Sequence, residues 1–256
     1  VSANRAQRSF RTPAVILKRR DFGEADRLLT VLTPRFGKLD VIAKSARKLT
    51  NPKTGHVELF TRTEMLIHRG RELSIVVQCE MTEPYLRLRE ELARGAYANY
   101  AAELLDRFTL TNDEDGGTLF SLFDQTLARL CSDDDSLLAL RYFEIHLLDR
   151  VGYRPQLSVC VRGGEAIKPH DQFFSYADGG VLCAEHAASG SASVPISVHA
   201  LKLLRHIQRS DFADVRSLQV PSRVHSDADR VMVGYLTFLL ERRLQSVDFI
   251  RRLRYL

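Results

Sequence analysis

The chain has 256 residues, 45% of them hydrophobic, with 37 Lys and Arg against 32 Asp and Glu for a formal charge of +5. This length predicts two domains or one with a large insertion, and the composition excludes disordered and fibrous chains. The charge is uneven: residues 1–84 hold 16 basic and 9 acidic residues, the remainder 21 and 23, an asymmetry that points to a polyanion partner for the first part.

Residues 14–20, 27–33, 38–44, 63–69 and 73–79 read as short strands. In the third, Leu39, Val41 and Ala43 alternate with Lys38, Asp40, Ile42 and Lys44, the period of a half-buried strand. Asp21-Phe22-Gly23, Pro34-Arg35-Phe36-Gly37 and Arg69-Gly70-Arg71 supply turns. Five such strands suit a small barrel, of which the OB-fold is the common five-stranded case. The basic break at 45–58 is long enough to be functional or mobile.

After Pro84 the period becomes helical. Tyr85, Leu88, Leu92, Ala96, Ala101, Leu105 and Phe108 predict one amphipathic helix, ended by Asn112 to Gly117. A second is expected over 119–130, and a third over 137–148, apolar nearly all round and so central to a bundle. Asp133, Asp134 and Asp135 suit its N-terminus, or form a recognition patch. Residues 152–195 are rich in Gly and Pro and read as irregular. Ser197 caps a helix carrying Leu201, Leu204 and Ile207, and the last helix is expected to start at Ser226 with Asp229 as its capping-box partner.

No apolar run approaches the ~18 residues of a membrane span; the longest, Val231 to Leu240, is broken by Gly234 and Thr237. Arg5, Arg8 and Arg11 lack the apolar core of a secretory signal, and four Cys do not make a disulfide framework, so a cytoplasmic protein is expected. Phosphate-loop, dinucleotide, nucleophile-elbow and metalloprotease motifs are absent, which favours a binding protein over an enzyme.

The basic set Lys18, Arg19, Arg20, Arg35, Lys38, Lys44, Arg47 and Lys48 falls at strand ends and loops beside Phe22 and Phe36. Single-strand binders combine cations that track phosphates with rings that stack on bases. Alternatively, the cations form a solvated face and a Phe plugs the barrel end. Within the irregular segment, Cys160, Cys183 and His186 have the spacing of structural zinc ligands, with Gly163 where a second Cys is expected. His170 or a water is the expected fourth ligand; three ligands also suit a site that has lost its metal.

The run Ala14 to Lys44, Gly152-Tyr-Arg-Pro155 followed by Cys160, and Phe174-Ser-Tyr-Ala-Asp-Gly-Gly-Val-Leu-Cys183 resemble the bacterial RecO family of DNA repair and recombination mediators. The resemblance implies an α+β chain: an OB-fold barrel over 1–84, a helical domain over 85–151 and 196–256, and a zinc-ribbon-like insertion over 152–195. It implies a non-enzymatic protein of the cytoplasm and nucleoid that binds single- and double-stranded DNA and anneals complementary strands. Its implied partners are RecR, the acidic, apolar C-terminal tail of single-stranded DNA-binding protein, and indirectly RecA. Carried over, the family's basic surface falls on Lys18, Arg19, Arg20, Arg35, Lys38, Lys44 and Arg47, and its metal knuckles on Cys160, Gly163, Cys183 and His186. Arg242, Arg243, Phe249, Arg251 and Arg252 have the chemistry to receive the tail. Two alternatives are an OB-fold RNA-binding factor of translation or RNA processing and a zinc hydrolase with Glu185 as base.

Overall fold

The computed structural model describes residues 8–253 except 49, 112–115, 133–134 and 190–191. Arg5, most of the turn expected at 112–117, and Asp133 and Asp134 of the acidic run lie outside the described residues. The chain divides after Ser132 into two compact units, the second ending at Arg252.

The first unit opens with β1 (Ser9–Phe22), β2 (Asp26–Thr33), β3 (Gly37–Ala43), β4 (Arg62–His68) and β5 (Ser74–Glu83). They close a barrel in the order β1-β2-β3-β5-β4, with β1 pairing β4 through its first half and β2 through its second. The fold is α+β with an N-terminal OB-fold barrel, as the alternation predicts. Inward positions are apolar because each strand buries one face: Ala14, Ile16, Leu29, Val31, Val41, Met65, Ile67 and Val76 form the core. Burying each large aliphatic side chain contributes about 1.5–3 kcal/mol.

The segment between β3 and β4 is ordered against this core. Ala46 and Val57 are fully buried, and a 3-10 turn at Thr54–His56 lets His56 Nδ1 accept from the Met81 amide at 3.0 Å.

Three helices complete this unit. The helix expected from Tyr85 is broken into α1 (Arg87–Glu90) and α2 (Leu92–Phe108). Glu91 between them is extended, its carboxylate tied to Arg87 at 2.6 Å and Arg94 at 2.5 Å. Next comes α3 (Gly116–Ser132), where a Cβ on Gly116 would collide with Gly37 and the Thr33 carbonyl, so glycine permits the close approach to the β2–β3 turn. Arg62 on β4 holds the middle of α3 through Asp124 at 2.7 Å. Thus α2 and α3 fold with the barrel.

In the second unit, α4 (Ser136–Arg150) begins where Asp135 accepts from the Leu138 amide, the capping role expected of that aspartate. Most of its residues are buried, and it packs on α6 (Val198–Arg209) and α8 (Ser222–Leu240). The glycine-rich stretch between α4 and α6 is less irregular than its composition suggests. It holds β6 (Gln172–Ser175), β7 (Gly180–Leu182), α5 (Ala184–Ala188) and β8 (Val194–Ile196), with strand order β7-β6-β8. Ser197 caps α6 as expected, accepting from Ala200. A short α7 (Phe212–Val215) follows.

Helix α8 starts four residues before Ser226, behind Pro221, and Asp229 pairs with the buried Arg141 at 3.1 Å rather than capping it. Left-handed Glu241 stops α8, and α9 (Gln245–Leu253) follows as a separate helix. No helix of the described residues is long and apolar enough to cross a membrane.

Candidate nucleic-acid interface and metal cluster

The eight cations singled out in the sequence are not equivalent in the structure. Lys18 projects from β1 onto Asp106 of α2, and Arg19 pairs with Glu58. Lys38 is buried, its ammonium donating to Asp106 Oδ1 at 3.1 Å, the Asp106 carbonyl at 2.6 Å and the Thr109 carbonyl at 2.6 Å. Three acceptors exhaust an ammonium's three donors, so this lysine is bonded to protein alone. Arg47 meets Asp21 at 3.4 Å. By contrast, Arg20, Arg35, Lys44 and Lys48 are exposed and have no carboxylate partner among the described residues.

Lys18, Arg19, Arg20 and Lys38 line one cleft of about 530 Å³ between the β1–β3 face and α2, shared with Asp40 and Asp106. Burial of Asp106 opposes its charge, but hydrogen bonds and attraction from Lys18 and Lys38 outweigh burial and lower its pKa. The structure therefore separates the basic set into cations paired with carboxylates, Lys18, Arg19, Lys38 and Arg47, and unpaired ones, Arg20 on β1 beside the cleft and Arg35, Lys44 and Lys48 in loops and turns.

The two turn phenylalanines lie at opposite ends of β2. Phe22 is exposed. Phe36 packs on the barrel core together with Phe10, their ring centroids 4.2 Å apart, so it plugs the barrel end. The sequence reading did not single out Arg69, which lies over both rings.

Four side chains of the second unit converge. Cys160, Glu165, Cys183 and His186 place one ligand atom each within 4.8 Å of one another. His186 Nδ1 is 3.1 Å from Cys183 Sγ, 3.5 Å from Cys160 Sγ and 3.4 Å from Glu165 Oε1. Tetrahedral Zn–S and Zn–N bonds of ~2.3 and ~2.0 Å set ligand atoms roughly 3.3–3.8 Å apart, close to the 3.1–3.5 Å separations from His186 Nδ1, so two thiols, an imidazole and a carboxylate could hold such an ion.

Gly163 is explained by the same geometry: a Cβ there would collide with Glu165 Oε2 and His186 Cε1. The carboxylate fills the space of the missing side chain. His170, expected as the fourth ligand, is not among the four converging side chains, and Glu165 takes that place. A hydrogen bond from Cys183 is the chief reason that Glu165 is lowered to about 2, and the same bond raises Cys183. Neither Cys79 nor Cys131 is a member of the cluster.

A groove of about 500 Å³ runs beside α6. Leu203, Leu218, Val220, Pro221 and Val224 give it an apolar floor, while His199, Lys202, His206 and Arg223 surround it with no carboxylate in the lining. The sequence reading missed this groove because its parts lie on α6, α8 and the loop between α7 and α8.

Residues 8–85 match the profile described as recombination protein O N terminal, and residues 89–248 that of recombination protein O C terminal. The chain is 38% identical over 247 residues to the DNA repair protein RecO of Roseiflexus sp., covering 96% of this chain and 87% of that protein. It is 33% identical to the DNA repair protein RecO of Dehalococcoides mccartyi, covering 93% of each chain. The protein of that name from Symbiobacterium thermophilum is 30% identical, covering 96% of this chain and 98% of its own.

Proposed function

The chain belongs to the RecO family of DNA repair proteins, and from that premise we propose that it is a non-enzymatic mediator that binds single- and double-stranded DNA and anneals complementary strands. The observation that carries this reading is the set of unpaired cations, Arg20, Arg35, Lys44 and Lys48, dispersed over a closed OB-fold barrel. An annealing protein must hold two phosphate backbones close together, which takes scattered positive charge and little reading of base edges.

In this role it acts with RecR to help load RecA on strands coated by single-stranded DNA-binding protein. The groove beside α6 suits that coating protein's acidic, apolar tail, with apolar side chains on the floor and carboxylates at Lys202 and Arg223. Helix α9, with exposed Phe249, Arg251 and Arg252, offers related chemistry.

Zinc is the metal we assign to Cys160, Glu165, Cys183 and His186. Its role would be structural: it would tie the β7–α5 connection to the Cys160–Glu165 turn, and four protein ligands would fill a tetrahedron and leave no open position for hydrolytic chemistry.

The decisive experiment is annealing of complementary oligonucleotides coated with single-stranded DNA-binding protein. Acceleration by the full chain supports the mediator reading. Preference for RNA over DNA of equal length, without annealing, would favour an RNA-binding factor instead.

A further inference from the structure

The end of the barrel formed by the start of β1, the β2–β3 turn and the β4–β5 turn carries four exposed arginines, Arg8, Arg35, Arg69 and Arg71. None has a carboxylate partner among the described residues. Beneath Arg69 and Arg35 are the rings of Phe10 and Phe36, which pack on the core. The Arg69 guanidinium carbon lies 5.3 Å from the Phe10 centroid and 5.2 Å from that of Phe36, and Arg35 lies 5.6 Å from Phe36.

The arrangement is held in place by the backbone. Phe36 donates its amide to Thr33 Oγ1 at 3.2 Å, while Thr33 donates to the Gly37 carbonyl at 3.0 Å. The Arg69 amide donates to the Arg8 carbonyl at 2.7 Å, and Ser9 Oγ meets His68 Nδ1 at 2.9 Å. Neither turn needs to rearrange to present its guanidinium groups.

A guanidinium laid on aromatic rings keeps a flat outer face, and an unpaired nucleobase stacks on such a face or on a ring edge beside it. Flanking arginines then meet the phosphates on either side. Duplex DNA shields its base faces and can use only the charge. We propose that this barrel end, centred on Arg69 over Phe10 and Phe36, is a stacking site for unpaired bases that makes the protein favour single strands over duplex. The proposal rests on the nucleic-acid reading above and adds to it the position and the physical basis of strand discrimination.

The test uses the full chain, a mixed-sequence single-stranded oligonucleotide containing 2-aminopurine, and a duplex of the same length, at one fixed salt concentration. Arg69→Lys keeps the charge and removes the flat face. Base stacking on such platforms accounts for roughly 5- to 150-fold in affinity. The variant should lose single-strand affinity by about that factor, hold duplex affinity within about twofold, and lose the 2-aminopurine fluorescence change seen with the unaltered chain.

Arg35→Gln serves as a second variant, and thermal melting verifies that both are folded. Equal losses for single strand and duplex would overturn stacking and leave a plain cationic patch. No loss on either substrate would make the cluster a lid over the barrel core. If the unaltered chain bound neither substrate, the nucleic-acid reading itself would fall, a result distinct from the other two.

Discussion

The ammonium of Lys38 and the carboxylate of Asp106 face each other at 3.1 Å, with the Asp106 carbonyl accepting from the same nitrogen at 2.6 Å. A residue that looks like a DNA contact in the sequence is therefore the clamp between β3 and α2. Lys38→Met should lower unfolding stability by about 2–4 kcal/mol, because it leaves the part-buried Asp106 carboxylate with Lys18 alone and removes the donor shared by the Asp106 and Thr109 carbonyls. Lys44→Glu, on an exposed side chain just past the end of β3, should leave stability within about 0.5 kcal/mol. It should instead weaken DNA binding and reduce the log–log salt slope by roughly 0.7–0.9 for each phosphate that is no longer neutralised. Denaturant unfolding and binding titrations across salt concentrations separate the two effects.

The clamp also predicts an acid response. Asp106 has a lowered pKa in the folded chain, so its contribution to stability is complete above the ordinary aspartate value. That contribution disappears as pH falls through the lower folded value. Unfolding free energies measured through this acid range should fall less steeply for Asp106→Asn than for the unaltered chain. Parallel slopes would remove Asp106 from the acid response.

Protein purified without chelator should contain close to one equivalent of zinc. Cys183→Ser should abolish it, and Glu165→Ala should lower retention under mild chelation about tenfold or more. Uptake at neutral pH should release protons, since thiols lose theirs on binding. Chelation should raise amide exchange over residues 152–189 while DNA affinity changes less than about twofold. Less than a tenth of an equivalent in the fresh protein would show that the four side chains hold this segment by their own contacts.

Arg141 and Glu144 are buried on α4 and paired at 2.7 Å, and Arg141 also reaches Asp229 on α8. Truncating one partner leaves a buried charge, so Arg141→Met should cost about 3–5 kcal/mol. A second change, Glu144→Leu, should restore part of that loss. Denaturant midpoints of the single and double variants test the coupling.

The barrel was legible because its strands are long enough for alternation to show, and Leu39, Val41 and Ala43 identify the buried face directly. Alternation also places Lys38 with Lys44 on the opposite face, but it carries no information about α2, which covers Lys38 and leaves Lys44 exposed. Strands of three or four residues such as β6, β7 and β8 are too short for any period to register. Cys160, Cys183 and His186 announced themselves by residue type. Glu165 did not, because a glutamate two residues after a glycine is unremarkable until the turn folds its carboxylate back into the space above Gly163. Arg69 was visible as a turn residue, whereas its position over Phe10 and Phe36 depends on strands distant in sequence meeting at one barrel end.

Barrel closure is uneven around its circumference. β1 and β4 pair continuously from Ser9–His68 to Val15–Arg62, whereas β3 and β5 meet in parallel only at Val41–Ser74 and Ile42–Ile75. Lys53 adds one bond beside this join, from its ammonium to the Val76 carbonyl at 3.2 Å. The thermal fluctuations of a closed sheet concentrate where its ladder is shortest, so the domain parts there before it unfolds. A barrel that opens at one hinge line keeps the other four strand pairings intact, and its amides should exchange with solvent in that order, with β3 and β5 near the join first and the β1–β4 ladder last.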